Sequence, residues 1–310
     1  MFKKALPFFI HIITPLHAGT GQELGIVDLP IQRERHTGFP KIEASGLKGS
    51  MREVFEENNK KVKVGNKEVS INDKITIDLT FGPEAEISHA GALGFTDARI
   101  LLFPVKSMKG VFAYITCPQV LKRFEEEMTI AGNKIELNGQ KININKIPPN
   151  SFPKNTSQVL VSNKVILEEY TFELNPNEDL KQFAEWLAQK TGIEEIPQKI
   201  IVLSNDDFKD FVHLSTEVIT RIKISNVTGT VEEGPFNEEF LPSETLLYSL
   251  ALASPIFKEK PEEKGIFNQN GKDEAGLVLE FFKAGMPEVM QIGGDATIGK
   301  GIVRITLWED

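Results

Sequence analysis

The stretch LHAGTGQELGIVDLPIQRERHTGFPKIEASGLKGSMRE, residues 16–53, joins a long loop to the start of a helix, and this junction decides the fold. From Pro15 to Gly46 about thirty residues show little hydrophobic periodicity, and loops this long are usually functional or disordered. Helical periodicity follows over 46–58, with Ser45 as the expected N-cap. A strand before the loop and two strands after the helix indicate an α+β sandwich of the split βαβ kind, not a doubly wound parallel sheet.

The other periodic segments extend this α+β pattern along the chain. Segments rich in β-branched and aromatic residues predict strands over 5–14, 98–105, 110–116, 199–204, 216–224 and 301–308. Helical spacing of apolar residues predicts further helices over 118–128, 177–190, 205–213 and 272–284. The Gly-, Asn-, Lys- and Pro-rich segment 130–158 contains an Asn-Gly turn and predicts a protruding β-hairpin insertion outside the core.

The charge of the chain restricts how it can bind nucleic acid. A formal charge of −9, from 35 Lys and Arg against 44 Asp and Glu, argues against a protein that coats nucleic acid non-specifically. Residues 1–65 nevertheless carry +3, whereas 168–195 and 206–245 each carry −6. We interpret the acidic regions as faces toward solvent or partner subunits. The basic N-terminal part predicts a local groove for a phosphate backbone.

Cysteine content and targeting patterns indicate a cytoplasmic protein. The single cysteine, Cys117, excludes an internal disulfide and a Cys-rich zinc site. The N-terminal lysines and apolar run are similar to a signal peptide, but Pro7, His11 and Pro15 interrupt the run. We therefore interpret it as a buried first strand. No stretch approaches the roughly 18 apolar residues that a membrane helix needs, so no membrane partner is expected.

Basic and small residues gather where the long loop meets the helix. Glycines beside a helix start let backbone N–H groups approach phosphates, and the helix dipole favours the negative charge. Lys48 and Arg52 lie four positions apart on one helix face, which suits a phosphodiester backbone. The candidate RNA-binding residues here are Arg33, Arg35, Lys41, Ser45, Gly46, Lys48, Gly49 and Arg52. A plain capped helix with solvent-facing bases remains an open alternative.

A second glycine-rich segment lies near the end of the chain, over 293–301. It fits the Walker A spacing through Lys300, but the next residue is Gly301 and a strand pattern follows, so it is not a P-loop. A glycine-rich backbone can still contact phosphates. The candidate RNA-binding residues of this segment are Gly293, Gly294, Thr297, Gly299, Lys300 and Gly301. A simple tight turn is the alternative.

Asp28 is the carboxylate best placed for chemistry, because it lies between apolar residues just before the basic run. Beside bound phosphates, such a carboxylate can hold a divalent cation, which we expect to be Mg²⁺, or orient a nucleophilic hydroxyl. A turn residue is the alternative. The four carboxylates of 232–239 suggest either metal ligands or a base, or an exposed acidic loop. Neither a hydrolase triad nor a dinucleotide-binding motif is apparent.

Together these motifs resemble the RAMP proteins of CRISPR effector complexes. Residues 16–53, 98–118 (ARILLFPVKSMKGVFAYITCP), 231–245 (VEEGPFNEEFLPSET) and 292–305 (IGGDATIGKGIVRI) are most similar to the repeated backbone subunit of the type III-B, or Cmr, complex. The resemblance spans essentially the whole chain. It implies one RAMP domain over 1–310: a modified RRM-like, ferredoxin-type palm with a long loop at 15–46.

The resemblance also assigns the two other parts of the domain and its partners. It implies a protruding β-hairpin thumb, which we place at 130–158, and a helical addition at 168–215. Copies of the chain are expected to stack head to tail along a guide RNA, beside other RAMP, small and large subunits. The implied function is antiviral defence, in which bound complementary single-stranded target RNA is cut at regular intervals by a metal-dependent endoribonuclease activity.

Roles for individual residues follow from the same resemblance. Asp28 matches the residue associated with target cleavage and a divalent metal, and Lys48 matches the lysine that holds the guide backbone. His17 and Glu238 carry over as further catalytic candidates. The sequence departs from the family at the aromatic pair before the glutamates, here Phe236-Asn237, and at Phe240, where a tyrosine is usual. A phenolic role at that position is therefore in doubt.

Three other functions remain open from the sequence. A scaffold RAMP would bind guide RNA without cutting, and mapping of target products would identify it. A guide-processing RAMP endoribonuclease would rely on histidine-centred acid–base chemistry and would cut precursor guide RNA as an isolated chain. A metabolic α+β enzyme with a phosphate-binding loop would show no dependence of activity on RNA length.

Overall fold

The computed structural model describes residues 2–21, 27–84, 89–155, 157–225 and 228–308. The strands in chain order are β1 (Lys4–Ile12), β2 (Lys41–Ile42), β3 (Lys61–Val64), β4 (Lys67–Ser70), β5 (Leu93–Phe95), β6 (Ala98–Lys106), β7 (Phe112–Thr116), β8 (Glu136–Leu137), β9 (Gln140–Lys141), β10 (Ser151–Pro153), β11 (Lys164–Leu167), β12 (Tyr170–Glu173), β13 (Asn175–Asn177), β14 (Ile200–Val202), β15 (Glu217–Ile224), β16 (Val231–Phe240), β17 (Leu246–Ala253), β18 (Val289–Gln291) and β19 (Ile302–Leu307).

The helices are α1 (Ala44–Glu57), α2 (Lys74–Phe81), α3 (Pro118–Ala131), α4 (Glu178–Thr191), α5 (Ile196–Lys199), α6 (Asn205–Leu214) and α7 (Glu274–Gly285). Short 3₁₀ turns lie at Ile144–Lys146, Pro261–Phe267 and Ala296–Ile298. Each strand and helix predicted from the sequence is present, with bounds shifted by a few residues. The segment 168–215 contains α4 and α6 but also β12, β13 and β14, so it is not purely helical.

Four strands build the centre of the sheet in the order β6-β17-β1-β19, and neighbouring strands are antiparallel. Apart from the shorter elements, α1 connects β1 to β6 and α7 connects β17 to β19. If these four strands are numbered in chain order, their order across the sheet is second, third, first and fourth. Along the chain, one helix follows the first strand and one follows the third. This is the ferredoxin-type arrangement, and it confirms the predicted α+β class with an RRM-like palm.

Helices cover both faces of this sheet. On β1, Phe8 packs against Phe282 of α7 at 6.3 Å between ring centroids. The next residue, Phe9, points to the opposite face and packs against Phe124 of α3 and Trp186 of α4 at 6.2 and 6.4 Å. Because successive side chains of a strand alternate between faces, a strand with helices on both sides is apolar throughout. That explains the nearly uninterrupted burial of β1 and β17.

The segment 130–158 differs from the protruding thumb that the sequence predicted. The Asn-Gly hairpin is present as β8 and β9, with positive φ at Asn138 and Gly139, as a type I′ turn requires. The segment around it is nevertheless packed into the core. Its buried apolar residues are Ile135, Ile142, Ile144, Ile147 and Phe152. Moreover, β10 pairs with β13 and β14 at one edge of the main sheet, so this part of the chain does not protrude.

The projecting hairpin is instead formed by β15 and β16, which pair only with each other as strands. Its apolar residues that remain exposed are Val218, Ile222, Ile224 and Val231. At its base, Leu241 pairs with Leu16 of the long loop. Within the described ranges, no helix is long and apolar enough to cross a membrane.

Candidate nucleic-acid interface

Asp28 lies where the long loop docks on β16. The Leu29 N–H donates to Asn237 O at 3.0 Å, and the Glu239 N–H donates to Leu29 O at 3.0 Å, so the loop runs beside β16 like a short added strand. The Asn237 N–H donates to Asp28 Oδ2 at 2.8 Å. The Asp28 side chain is otherwise exposed. The loop therefore holds a solvent-facing carboxylate at the base of the projecting hairpin.

His17 lies along the same edge of β16, one step further toward the base of the hairpin. Its Nδ1–H donates to Glu239 O at 2.7 Å, and this bond assigns the proton of the neutral ring to Nδ1. The other ring nitrogen, Nε2, is 3.6 Å from Glu238 Oε1. Gly19 is required here, because a Cβ at that position would come within 2.4 Å of Nε2. His17 is thus fixed in place with Nε2 directed toward Glu238.

Glu238 is a buried carboxylate among several charges. Arg221 Nη1 lies 3.2 Å from its Oε2. Burial raises the pKa of Glu238 above its usual range, and the negative charge of Asp295 adds to this, while His17 and Arg221 act in the opposite direction. A carboxylate whose pKa is displaced by burial and a specific neighbour is typical of functional sites, although structural ion pairs also produce such shifts.

The next residue, Glu239, connects the loop to the hairpin. Its Oε2 accepts a hydrogen bond from the Ile31 N–H at 3.0 Å, and its Oε1 accepts from Thr216 Oγ1 at 2.8 Å. Arg33 donates to the same Oε1, and its Nη1 donates to Gly38 O and to the carbonyl of Val212, at 3.0 and 2.9 Å. The guanidinium of Arg33 is therefore engaged within the protein, which does not favour the predicted contact with RNA.

Two other basic residues that were predicted to contact RNA also form ion pairs within the protein. Lys41 Nζ lies 2.9 Å from Asp97 and 2.6 Å from Glu43. Arg52 pairs with carboxylates from two helices and a loop, namely Glu56, Asp78 and Glu84. By contrast, Arg35 is exposed, and within the described part of the chain neither Arg35 nor Lys48 forms an ion pair. Of the predicted basic residues in this region, those two remain available to a phosphate.

The start of α1 presents an open surface. The helix begins at Ala44 after Glu43, so the predicted N-cap, Ser45, lies inside the first turn instead. Ser45, Gly46 and Gly49 are exposed, and no atom lies within 4 Å of a Cβ built at either glycine. Burial lowers the pKa of Lys48 below its ordinary value, and the positive charge of Arg52 adds to this.

The glycine-rich loop meets the long loop at His17. The Gly294 N–H donates to His17 O at 2.9 Å. A Cβ at Gly293 would lie 2.3 Å from the same oxygen, and one at Gly301 would lie 2.1 Å from Ile292 O, so packing requires both glycines. Thr297 and Gly299 are exposed in and after the 3₁₀ turn. Lys300 Nζ lies 4.9 Å from the ring centroid of Phe240.

A cavity of about 370 Å³ joins these segments. It is lined by the long loop, by the open face of α1 and by the glycine-rich loop; lining residues include His17, Gly19, Gly46, Ser50, Gly293 and Gly294. These three segments are far apart in the sequence, where each was selected for candidate phosphate contacts. In the fold they surround one cavity.

The predicted metal site can be tested against the donor groups. Within the described residues, no three His, Cys, Asp or Glu side chains converge to hold a metal ion. Asp28 offers one exposed carboxylate. Mg²⁺ is usually bound by one or two carboxylates together with substrate phosphates and water. Asp28 therefore fits a shared protein–RNA cation site rather than a closed protein one.

Sequence reasoning missed two charged residues of this site. Arg221 lies on β15 and Asp295 in the glycine-rich loop, and the two side chains pair with each other. Asp295 lies inside the glycine-rich motif but was not selected there as a candidate, and no motif marked Arg221. A weak signal was available, since Arg221 is the one arginine in the acidic region 206–245.

Comparison with known proteins finds relatives over nearly the whole chain. Residues 9–304 match the model of the RAMP superfamily. A Pyrococcus furiosus protein, CRISPR system Cmr endoribonuclease Cmr4, is 38% identical over 99% of this chain and 96% of its own length. The crystal structure of oligomeric Cmr4 from Pyrococcus furiosus superimposes with a TM-score of 0.70 at 32% identity, covering 99% of this chain and 98% of that one.

A chain in the cryo-EM structure of type III-B Cmr-beta bound to cognate target RNA has the same fold. Its TM-score is 0.69 at 24% identity, over 99% of this chain and 98% of that one. Since the family model covers nearly the whole sequence and a relative is 38% identical over almost its full length, this protein belongs to the RAMP superfamily.

Proposed function

We propose that this protein is a Cmr-type RAMP backbone subunit, which stacks along a guide RNA and cleaves bound complementary target RNA at regular intervals. The observation that carries this proposal is the convergence of Asp28, His17 and Glu238 at the base of one projecting hairpin. The similarity to a named Cmr endoribonuclease supports cleavage, and the similarity to an oligomeric Cmr4 structure supports association of copies of the chain. Head-to-tail stacking and further RAMP, small and large subunits as partners are part of the proposal.

The open face of α1 is the proposed contact for the guide. Glycine inside a helix costs about 1 kcal/mol relative to alanine, so two glycines that packing does not require need another reason. Close approach of an RNA backbone to Gly46 and Gly49 supplies one, with Lys48 as the neighbouring positive charge. The cavity beside His17 extends this surface toward the glycine-rich loop.

Asp28 is the proposed catalytic group. In RNA, the 2′-hydroxyl can attack the adjacent phosphorus in line while the bond to the 5′-oxygen of the next nucleotide breaks, which yields a cyclic phosphate and a free 5′-hydroxyl. An exposed carboxylate held by the Asn237 N–H can accept the 2′-hydroxyl proton or orient that hydroxyl. The use of the 2′-hydroxyl makes the site specific for RNA. A divalent cation held by Asp28 would stabilise charge on the phosphate.

The β15–β16 hairpin is the proposed thumb, in place of 130–158. In-line attack requires the nucleotides on either side of the cut to leave their stacked geometry. Aliphatic side chains inserted between bases unstack them in other nucleic-acid complexes. The exposed Ile222, Ile224 and Val231 give the outer part of this hairpin that property, several residues along the strands from Asn237, which holds Asp28.

Two variants with different phenotypes test the proposal in a guide-loaded assembly. Asp28→Asn is expected to slow target cleavage by about 100-fold or more while target binding is unchanged. Lys48→Ala is expected to weaken guide binding and to leave cleavage by the assembled fraction intact. Wild-type assemblies that bind target without cutting would indicate a scaffold RAMP instead, and cutting of precursor guide RNA by the isolated chain would indicate a processing enzyme.

A further inference from the structure

Arg221 joins the projecting hairpin to the glycine-rich loop. Its Nη1 lies 3.2 Å from Asp295 Oδ1 and its Nη2 lies 3.0 Å from Asp295 Oδ2. Nη1 donates a charge-assisted hydrogen bond to Oδ1, whereas the Nη2–Oδ2 contact is an ion pair without hydrogen-bond geometry. Both side chains are largely shielded, with 24% and 22% exposure, so the pair is stronger than an ordinary surface ion pair.

The same guanidinium contacts two residues of β16. Nη1 lies 3.2 Å from Glu238 Oε2, and the guanidinium carbon lies 5.4 Å from the ring centroid of Phe240. The Phe240 ring is also 5.6 Å from the ring of His17. Arg221 therefore connects β15, β16 and the glycine-rich loop at the level of the candidate catalytic groups.

Asp295 is held in a conformation that presents its carboxylate to Arg221. Its φ is +65°, in the left-handed region, where aspartate and asparagine are among the few non-glycine residues found regularly. Its carbonyl accepts hydrogen bonds from the N–H groups of Ile298 and Lys300 at 3.1 and 3.2 Å, which closes the turn. The backbone of the loop is thus fixed before the ion pair is made.

We propose that Arg221 and Asp295 form a clasp, a pair of positioning residues that hold the hairpin base against the glycine-rich loop and thereby set which target phosphate meets Asp28. The β15–β16 pair is a separate two-stranded sheet, and the clasp is a direct side-chain link from it to the glycine-rich loop, in addition to the indirect link through His17 of the long loop. The clasp determines the rate and the position of the cut, not the affinity for target. This inference rests on the proposed function.

A double-mutant cycle on target cleavage tests the clasp. Asp295→Asn keeps the left-handed preference but removes the charge, and Arg221→Gln removes the guanidinium. Each variant is expected to lower the single-turnover cleavage rate by about tenfold to 100-fold, because small misplacements of reacting groups have effects of that size. Cuts are also expected at neighbouring phosphodiesters. The double variant should be no slower than the slower single variant, while target Kd changes less than twofold.

The matched control is Lys164→Gln with Glu173→Gln, which removes a cross-strand ion pair of 3.0 Å from the separate β11–β12 hairpin. This control should cut at wild-type positions and rate. Additive effects of the two clasp variants, wild-type cutting by Asp295→Asn, or a loss of target affinity equal to the loss of rate would each overturn the clasp. If Arg221→Gln fails to fold, as judged by circular dichroism, Asp295→Asn alone decides.

Asp28→Asn assayed in parallel separates this inference from the proposed function. Loss of cleavage in Asp28→Asn together with wild-type cutting by Asp295→Asn refutes the clasp alone. Normal cleavage in Asp28→Asn refutes the catalytic assignment and with it the statement that the clasp positions a phosphate at Asp28; displaced cuts in Asp295→Asn would then show only that the pair positions the target.

Discussion

At the scale of single residues, Glu239 organises the hairpin base, because its two oxygens bind Ile31 and Arg33 of the long loop and Thr216 just before β15. Arg33→Gln removes one partner of a shielded ion pair and leaves the Glu239 carboxylate short of positive charge. We expect the free energy of unfolding to fall by about 3 kcal/mol, measured by urea denaturation. Guide RNA binding by the folded variant should match wild type. Arg35 is exposed, so the variant Arg35→Gln should show the opposite result: a wild-type free energy of unfolding and weaker binding of guide RNA.

Glu244 gives a residue-scale prediction about pH. A hydrogen bond from His11 at 2.9 Å holds the pKa of this carboxyl below its usual range, burial opposes this, and the Tyr114 hydroxyl adds a second hydrogen bond at 3.1 Å. A depressed pKa in the folded state adds stability above the unfolded pKa of about 4.3, and that stability is lost as the pH falls through the folded pKa.

Glu244→Gln should therefore lower the free energy of unfolding at pH 7 by about 1 kcal/mol. The effect should be much smaller at the lowest pH at which the protein is still folded. Urea denaturation at several pH values measures both. An equal loss at every pH would show that the carboxylate charge contributes nothing.

The sequence located the candidate catalytic residues better than the RNA contacts. Asp28, His17 and Glu238 lie near the same part of β16, since each belongs to a motif whose adjacent residues hold its backbone in place. The availability of a basic side chain depends on partners far away in the chain, such as Glu239 for Arg33 and Asp97 for Lys41. Local sequence contains no record of those pairings. Three of the six basic candidates, Arg33, Lys41 and Arg52, therefore have protein partners in the fold.

At the scale of elements, the first turns of α1 give a prediction with opposite signs for stability and binding. Gly49→Ala adds a better helix former where no atom lies within 4 Å, so the free energy of unfolding should rise by about 0.5–1 kcal/mol. The added methyl group occupies the proposed RNA face, so guide binding should weaken. Thermal unfolding and a filter-binding assay measure the two effects. Glu57→Gln, at the far end of the same helix, is the control with unchanged binding.

Two elements show why pattern reading failed where it did. β17 was not predicted, because helices cover both faces of the sheet and its apolar run LLYSLALA has no alternation to identify a strand. The insertion 130–158 looked too polar to pack, yet isoleucines scattered among its Asn and Lys residues reach the core. Tertiary burial, which local composition does not reveal, decided each case.

At the scale of the whole molecule, an acidic chain is expected to bind RNA through a confined surface. Guide affinity should still fall with rising salt, since each phosphate contact to a single strand contributes about 0.7 to the slope of log K against log salt. Lys48→Ala should reduce that slope by about 0.7. Lys134→Ala, an 80% exposed lysine after α3 on the other face of the sheet, should leave it unchanged. An equal change in both variants would mean that binding is diffuse.

The central claim is that Asp28 cuts target RNA within a guide-loaded stack of this protein. The most direct measurement maps the ends of target RNA products at nucleotide resolution for assemblies of wild type and of Asp28→Asn, loaded with the same guide. We predict evenly spaced cuts in wild type and uncut, fully bound target in Asp28→Asn. Evenly spaced cuts by the Asp28→Asn assembly would contradict the account.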